Sequence, residues 1–228
     1  MTIRRPTVKK YPPQVKICGL TRAEEAAACV ELGVRGIGCV FYPPSPRHVT
    51  EQQARTICRA VSSQPCTLVG VFVDESFDEI MRKVEKCGLN AVQLHGREPP
   101  DLVNRLSQEG LRVIKGLFVN AAPSFDTAAA YKAFAYLAEC AGGSLPGGNA
   151  LNWTWDAATE VSSKYPLILA GGLSSDNVSE AISAACPDAV DVSSGVEAEP
   201  GRKDFNKVKQ FLEAVSRSGC TRKTRRIF

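Results

Sequence analysis

The chain lacks long apolar runs and the residue spacings of common metal and disulfide sites. Its 228 residues contain no run of eighteen or more apolar residues, and the first residues include no apolar segment of the kind that a signal peptide needs. It has two histidines, and its nine cysteines include no CxxC pair. We therefore expect a cytoplasmic protein outside any membrane, with neither a disulfide nor a structural zinc ion.

The composition is typical of one globular domain. With 44% apolar and 23% charged residues, a chain of this length can fill one core and is small for two. Without cysteine pairs, most of the thiols are expected to be small buried side chains. The plainest cases are Cys29 and Cys58 on helix faces and Cys39 in a strand.

Positive charge is concentrated at the two ends of the chain. The net charge is +4, yet residues 1–14 and residues 219–228 each contain four cations and no acid, so residues 15–218 carry a net charge of −4. Short charged ends are usually solvated, and no aromatic residues are interleaved with these cations. We therefore expect a basic N-terminal extension at 1–14, a basic solvated C-terminal tail at 219–228, and no binding of nucleic acid.

Between these ends, short β-branched runs alternate with amphipathic stretches of helical period, which is the pattern of repeated strand–helix units around a parallel sheet. Eight such units can be counted. The predicted strands span residues 15–18, 36–40, 67–73, 91–94, 112–119, 135–139, 167–170 and 189–192. The predicted helices span residues 22–32, 51–61, 77–87, 101–108, 125–131, 156–163, 176–184 and 205–216.

The position of the small residues favours a closed barrel over an open sheet. A dinucleotide-binding open sheet has its glycine-rich turn after the first strand. Here the small residues follow the last two predicted strands, each with a helix starting just after: Gly171, Gly172, Ser193, Ser194 and Gly195. Barrels of eight strand–helix units commonly hold a substrate phosphate at these two strand ends. We therefore predict an α/β protein, a single-domain (β/α)8 TIM barrel over residues 15–218, with a phosphate site at its end.

The ends of the first two strands carry candidate functional residues. Lys16 and Cys18 are two residues apart and lie on the same side of the first strand. A cysteine in this position serves as a nucleophile or base, or packs as a small core residue, and the residues alone leave both readings open. Arg47 follows a proline-rich loop, which suits a clamp for a carboxylate or an ordinary surface turn.

Later strand ends carry further candidates. Asp74 follows the third strand, and Gln93 and His95 end the fourth, where a histidine lines the pocket or makes a structural hydrogen bond. Glu139 follows an apolar run in the sixth strand, so we expect it to be partly buried, either as a general acid or as a structural carboxylate. The glycine-rich residues 141–149 read as a lid or as an ordinary surface loop.

Five segments, in this order and spacing, together resemble the phosphoribosylanthranilate isomerases of tryptophan biosynthesis. They are KICGLT at 16–21, SPR at 45–47, VQLHG at 92–96, LAGGL at 169–173 and DVSSGVE at 191–197. Residues 200–204 continue the last segment. The resemblance spans nearly the whole of the chain between its basic ends.

The resemblance implies a compact (β/α)8 barrel that catalyses an Amadori rearrangement with no metal or organic cofactor. In such enzymes N-(5-phosphoribosyl)anthranilate becomes 1-(2-carboxyphenylamino)-1-deoxyribulose 5-phosphate. A carboxylic acid protonates the ribose ring oxygen and opens the ring to a Schiff base, and a cysteine removes the proton from C2. Cys18 matches that cysteine, which must lose its proton near neutral pH, and Lys16 on the same strand face can help.

The resemblance also assigns the ends of the substrate. Arg47 matches an arginine that holds the anthranilate carboxylate. Asp191 and His95 would line the ribose, with Lys16 as a further substrate-binding residue. The phosphate would lie on Gly171, Gly172, Ser193, Ser194 and Gly195.

Two residues depart from the family pattern. Relatives usually have aspartate at the end of the sixth strand, where this chain has Glu139. The additional methylene moves the carboxyl by more than about 1 Å, enough to matter in a catalytic group, and the loop at 146–149 is expected to compensate. Phe118 stands where many relatives have an arginine, which removes a charge near the pocket.

Neither departure removes a carboxyl, a thiol or a phosphate-binding residue. We therefore expect an active isomerase, with Cys18 as general base and Glu139 as general acid, whose partner is a small phosphoribosyl substrate. It would act as a monomer or a homodimer. Two alternatives remain: a catalytically silent homologue that binds phosphorylated ligands, and another phosphosugar isomerase on the same barrel.

Overall fold

The computed structural model describes residues 9–140 and 153–228, in which eight parallel strands close into a barrel. This confirms the predicted (β/α)8 TIM barrel. The strands are β1 (Gln14–Cys18), β2 (Gly36–Val40), β3 (Thr67–Phe72), β4 (Ala91–Leu94), β5 (Arg112–Phe118), β6 (Ala135–Glu139), β7 (Leu167–Leu169) and β8 (Ala189–Val192).

Each strand pairs with the next, and β8 pairs with β1 to close the barrel. In this closing pair, Lys16 lies opposite Asp191, and on the other side of β1, Cys18 lies opposite Gly38 of β2. All eight strands run in the same direction, so their C-terminal ends meet at one face of the barrel. The candidate residues at the strand ends are thereby brought together.

A helix follows each strand, and none within the described ranges is long and apolar enough to cross a membrane. The helices are α1 (Ala23–Glu31), α2 (Glu51–Val61), α3 (Phe77–Cys87), α4 (Pro100–Gln108), α5 (Ala128–Tyr131), α6 (Thr159–Lys164), α7 (Val178–Ala185) and α8 (Phe205–Arg217). A short hairpin of β9 (Glu197–Glu199) and β10 (Arg202–Lys203), which the sequence did not indicate, lies between β8 and α8.

The predicted bounds of β2, β4, β6, β8, α2 and α3 are confirmed to the residue. The fifth and sixth helices are shorter than predicted, because each begins with a 3-10 turn, at Phe125–Thr127 and Trp155–Ala158. Helix α6 ends at Lys164, because the next residue, Tyr165, precedes a proline and is extended.

The apolar core has two layers. One fills the barrel interior and includes Val69, Ile114 and Ile168, and the other lies between the strands and the surrounding helices. Both layers form because the apolar residues of each strand alternate between the two faces of the barrel wall. The second layer contains the three thiols that the sequence placed in the core, and all are buried: Cys29, Cys39 and Cys58.

Residues 219–228 pack against the barrel, so the expectation of a solvated C-terminal tail is wrong. Ile227 and Phe228 are buried at the N-terminal ends of the strands, where they join the interior layer. The side-chain oxygen of Gln14 accepts hydrogen bonds from the backbone N–H groups of both residues. Burial of two large apolar side chains favours this packing over solvation. Residues 1–8 of the predicted N-terminal extension lie outside the described residues.

Two of the three arginines of this segment are paired with a buried carboxylate. Asp188 is fully buried and accepts hydrogen bonds from the side chains of Arg222 and Arg225 and from the backbone N–H of Leu167. Burial raises the pKa of Asp188, but these bonds outweigh burial and hold the pKa below its ordinary value. Basic residues that look like a solvated tail in the sequence thus anchor the segment.

A disulfide joins Cys186 to Cys220, which corrects the expectation that the chain has none. The two residues are 34 positions apart, with Cα atoms 5.6 Å apart. Cys186 ends α7, and the backbone of Cys220 is hydrogen-bonded to that of Tyr11. The two cysteines meet because residues 219–228 pack against the barrel. The spacing of the cysteines in the sequence does not predict this packing.

Asp188→Asn should lower the free energy of unfolding by about 3 kcal/mol at pH 7, because it leaves two arginines without their buried carboxylate. The pKa of Asp188 is lower in the folded chain than in the unfolded chain. Its stabilisation is therefore complete above about pH 4 and is lost as the pH falls through the folded pKa. Urea denaturation at several pH values measures the effect.

The matched control is Asp101→Asn, which removes a carboxylate from an exposed position in α4. This control should lower the free energy of unfolding by less than about 1 kcal/mol at any pH, since it removes only an exposed carboxylate from the first turn of α4. A loss of stability in Asp188→Asn that stays equally large in acid would contradict the assigned role of the Asp188 charge.

Candidate active site

A cavity opens at the C-terminal ends of the barrel strands. Most of the candidate residues line it: Cys18, Arg47, His95, Glu139, Gly171, Gly172, Asp191, Ser193 and Ser194. Lys16 is fully buried beneath the lining. Gly195 is not one of the lining residues, and an added Cβ there would collide with the backbone carbonyl of Leu173. The candidate loop at 141–149 lies outside the described residues.

Lys16, Asp191 and Cys18 form a charged group where β1 meets β8. Lys16 Nζ donates a hydrogen bond to Asp191 Oδ2 at 2.7 Å, and both side chains are buried. Two residues along the same face of β1, the thiol of Cys18 reaches the cavity. Gly38 leaves room for this arrangement, since a Cβ there would lie 2.8 Å from Cys18 Sγ and 3.2 Å from Lys16 Nζ. Any larger residue at position 38 would displace the thiol.

Burial acts against the charged form of all three groups. It raises the pKa of the Cys18 thiol, and the Lys16 ammonium opposes this shift without reversing it. Burial lowers the pKa of Lys16, but Asp191 and Cys18 outweigh burial and the pKa is raised. Burial also raises the pKa of Asp191, with Glu139 adding to the shift and Lys16 opposing it. Burial therefore favours the neutral thiol of Cys18, whereas the expected role of this residue as a base requires its thiolate.

Glu139 ends β6, and its side chain is 8% exposed. Its Oε2 lies 3.1 Å from Nε2 of His95, whose Nδ1 lies 3.2 Å from Nε2 of Gln93. The ring of Phe118 meets the imidazole edge-on, with the ring centroids 5.5 Å apart. A Cβ at Gly171 would lie 3.0 Å from Glu139 Cγ. The glycine therefore leaves space beside the longer acidic side chain.

Arg47 lines the cavity and is already paired with a carboxylate of the protein. Its Nε and Nη2 donate hydrogen bonds to the two carboxylate oxygens of Glu197 at 2.9 and 2.7 Å. Lys203 Nζ donates to Glu197 at 2.8 Å and to the backbone oxygen of Ser193 at 3.2 Å. Burial raises the pKa of Glu197, but the two cations outweigh burial and hold it below its ordinary value. The same burial lowers the pKa of Lys203.

The ends of β7 and β8 expose backbone groups that suit an anion. Gly171 and Gly172 have φ of +87° and +64°, which glycine adopts without strain. The backbone N–H groups of Gly171, Gly172 and Ser193 donate to no other residue that the structure describes. The expected helices contribute less than predicted, because α7 begins only at Val178 and a three-residue 3-10 helix, Ser194–Val196, follows β8. Backbone donors, more than helix dipoles, form this cradle.

Sequence reasoning did not assign roles to Glu197 and Lys203. Both are buried charged residues, and they connect the side chain of Arg47 with the backbone at Ser193. The available signal is that Glu197 lies in the last matched segment and Lys203 lies just after it. The sequence does not indicate their contact with Arg47, because Arg47 is 150 positions from Glu197. Within the described ranges, no group of three or more His, Cys, Asp or Glu residues is arranged to hold a metal ion.

Most of the chain is similar to known isomerases in sequence. A family model described as N-(5'-phosphoribosyl)anthranilate (PRA) isomerase matches residues 15–214. The N-(5'-phosphoribosyl)anthranilate isomerase of Desulfatibacillum aliphaticivorans is 50% identical over 215 residues, which cover 94% of this chain and 98% of that protein.

Solved structures show the same similarity. The phosphoribosyl anthranilate isomerase of Thermotoga maritima is 38% identical, with a TM-score of 0.81, covering 90% of this chain and 98% of that one. A phosphoribosyl anthranilate isomerase in complex with reduced 1-(o-carboxyphenylamino)-1-deoxyribulose 5-phosphate is 37% identical, with a TM-score of 0.78 and the same coverage. The resemblance carried by the five segments is therefore confirmed, and the chain belongs to the N-(5'-phosphoribosyl)anthranilate isomerase family.

Proposed function

We propose that this chain catalyses the Amadori rearrangement of N-(5-phosphoribosyl)anthranilate to 1-(2-carboxyphenylamino)-1-deoxyribulose 5-phosphate in tryptophan biosynthesis. The observation that carries the proposal is that Cys18 and Glu139 line one cavity together with the backbone cradle at the ends of β7 and β8. A phosphosugar isomerase of this kind needs a base and an acid at a fixed distance from an anion site. The membership of the family supports the substrate.

Glu139 would act as the general acid and Cys18 as the general base. Protonated Glu139 gives its proton to the ring oxygen of the ribose as the bond from C1 to that oxygen breaks, which leaves a Schiff base. The Cys18 thiolate then removes the proton from C2, and the electron pair of that bond forms the enolamine. The Cys18 thiol then returns a proton to C1, and the C2 hydroxyl becomes a carbonyl as its proton passes to the Glu139 carboxylate, so both residues end as they began and the substrate gains and loses no atom.

Because burial raises the pKa of the Cys18 thiol, the thiolate would form as the reaction proceeds. Lys16 lowers the cost of this step, since its ammonium favours the thiolate. A protonated Schiff base would add a second positive charge near C2. The thiol proton would pass to solvent as this positive charge develops, so that the thiolate is present when the Schiff base has formed.

The other cavity residues would hold the ends of the substrate. Arg47 would bind the anthranilate carboxylate while Glu197 keeps its guanidinium in place. Asp191 and His95 would lie beside the ribose, with Lys16 acting through Asp191. Asp191 Oδ1 supports this, because it is buried with no hydrogen-bond partner among the described residues. The phosphate would lie on the turns formed by Gly171, Gly172, Ser193, Ser194 and Gly195.

Iodoacetamide should alkylate Cys18 slowly at pH 7 and faster as the pH rises beyond 9, the ordinary pKa of a thiol. The reason is that only the thiolate reacts and that burial raises the pKa of this thiol. Mass spectrometry of the peptide containing Cys18 measures the rate, with the urea-unfolded chain as the reference. The pH of half-maximal rate should be higher in the folded chain, and equal values would contradict the raised pKa.

The chain should restore growth of an isomerase-deficient tryptophan auxotroph, and the purified protein should consume the fluorescent anthranilate substrate. Cys18→Ser should lower kcat by about 10²–10⁴-fold with ligand affinity nearly unchanged, because a base acts in the transition state. Binding of a product analogue without turnover by the wild-type chain would instead identify a silent homologue. Turnover only of another phosphosugar would also sink the proposal.

Glu139→Gln should lower kcat by about 10²–10⁴-fold, because it removes the proton donor at nearly constant shape. Glu139→Asp keeps the carboxyl but withdraws it by one methylene, so its kcat should fall between those of the Glu139→Gln variant and the wild type. Steady-state kinetics on the anthranilate substrate measures both. Near wild-type turnover by the Glu139→Gln variant would exclude Glu139 as the acid.

A further inference from the structure

The two ring nitrogens of His95 are both engaged by other side chains of the cavity. Nε2 lies 3.1 Å from Glu139 Oε2, and Nδ1 lies 3.2 Å from Gln93 Nε2. His95, Gln93 and Glu139 are each 6% exposed or less. A hydrogen bond from His95 to a ribose hydroxyl would therefore require one of these contacts to be given up.

The partner of each nitrogen defines the position of the ring proton. Gln93 is oriented with Nε2 toward the ring, and because an amide nitrogen can only donate, Nδ1 of His95 is the acceptor in this orientation. Gln93 Oε1 is then buried with no hydrogen-bond partner among the described residues. A neutral imidazole then carries its proton on Nε2, which is the nitrogen facing Glu139. The second oxygen, Glu139 Oε1, has no hydrogen-bond partner among the residues that the structure describes.

The backbone that carries His95 is held by a buried ion pair. Lys115 Nζ donates hydrogen bonds to the backbone oxygens of Leu94 and Gly96, on either side of the histidine, and to Glu98 at 2.8 Å. Glu98 in turn accepts the backbone N–H of Gly96. The imidazole is thus fixed from both its backbone and its ring, which is what a residue that orients another group needs.

We propose that His95 is a positioning residue for Glu139. Its Nε2–H holds Oε2 of the carboxyl, Gln93 keeps Nε2 as the donor, and Oε1 is left as the oxygen that carries the proton to the substrate. The proposal rests on the proposed function, in which Glu139 is the general acid. It also accounts for glutamate at the end of β6, because the longer side chain reaches the imidazole beside Gly171.

The surroundings of the imidazole allow this role. Phe118 on β5 packs against the ring and brings no charge. On β8 the nearby charge is Asp191, which is paired with Lys16 of β1. A Cβ at Gly116 on β5 would lie 3.0 Å from Nδ1 of His95. The glycine therefore leaves room for the imidazole in its observed position. Glu139 is the carboxyl that directly contacts the ring.

The first test is kinetic. His95→Ala should lower kcat by about 10²-fold, the cost of a misplaced catalytic group, with KM nearly unchanged. Imidazole added to the assay should restore part of the rate, and His95→Gln, which retains a donor at a similar reach, should keep kcat within about tenfold of the wild type. His48→Gln, at the histidine outside the cavity, is the matched control and should behave as the wild type.

A double-mutant cycle that combines His95→Ala with Glu139→Asp distinguishes a positioning role of His95 from a general structural role. The shorter carboxyl should not reach the imidazole, so His95→Ala should cost much less in the Glu139→Asp background than in the wild type. Equal costs in the two backgrounds would overturn the proposal. A large rise in KM with kcat unchanged would also overturn it, since that result assigns His95 to direct binding of the ribose.

The second test uses the folded wild-type chain and does not depend on the stability of a variant. The chain has two histidines, so ¹⁵N NMR of the imidazoles with His48→Gln for assignment identifies the nitrogen that carries the proton in His95. The proposal requires the proton on Nε2, and a proton on Nδ1 alone would overturn it. If the chain fails to turn over the anthranilate substrate, the proposed function fails, while this NMR result still reports whether His95 donates to Glu139.

Discussion

The ion pair between Lys16 and Asp191 is the contact on which the cavity depends, because it joins the first strand to the last where the barrel closes. Two buried charges are costly unless they are paired, and these two meet in one strand register. A shift by a single residue would turn one of them to the opposite face of the barrel wall. The same register sets the height of Cys18 above the pair, so closure of the barrel and the position of the thiol have a common cause.

The other charged side chains of the cavity follow the same rule. Arg47 is held by Glu197, and the carboxyl of Glu139 is held by His95. Each of these two groups has a protein partner that fixes its direction. A site built in this way changes little when a ligand enters, because its dipoles and charges are oriented beforehand. Glycines leave the space that these side chains need, as Gly38 does beside Cys18.

The fold and the location of the site could be predicted because they depend on local patterns. The alternation of β-branched runs with helical periods gives the strand–helix repeat, and the small residues after the last two strands select the barrel. The candidate residues Cys18 and Glu139 could be found because each ends such a run. Their chemical roles came from the family resemblance and not from periodicity.

What could not be predicted depends on contacts between distant residues. The pattern around Arg47 indicates a rigid loop but says nothing of Glu197, 150 positions away. Likewise, the basic segment at 219–228 looks solvated because its partner, the buried Asp188, belongs to an apolar stretch.

The packing of Ile227 and Phe228 inside the barrel bears on how the chain acquires its fold. Gln14, which receives their backbone N–H groups, lies more than 210 positions earlier in the chain. Synthesis proceeds from the N-terminus, so the strands can pair on the ribosome while the lower end of the interior still lacks these two side chains. Contacts between such distant residues form late, because a long loop must close first. The interior layer therefore cannot be complete before residue 228 has emerged, because Ile227 and Phe228 are part of it.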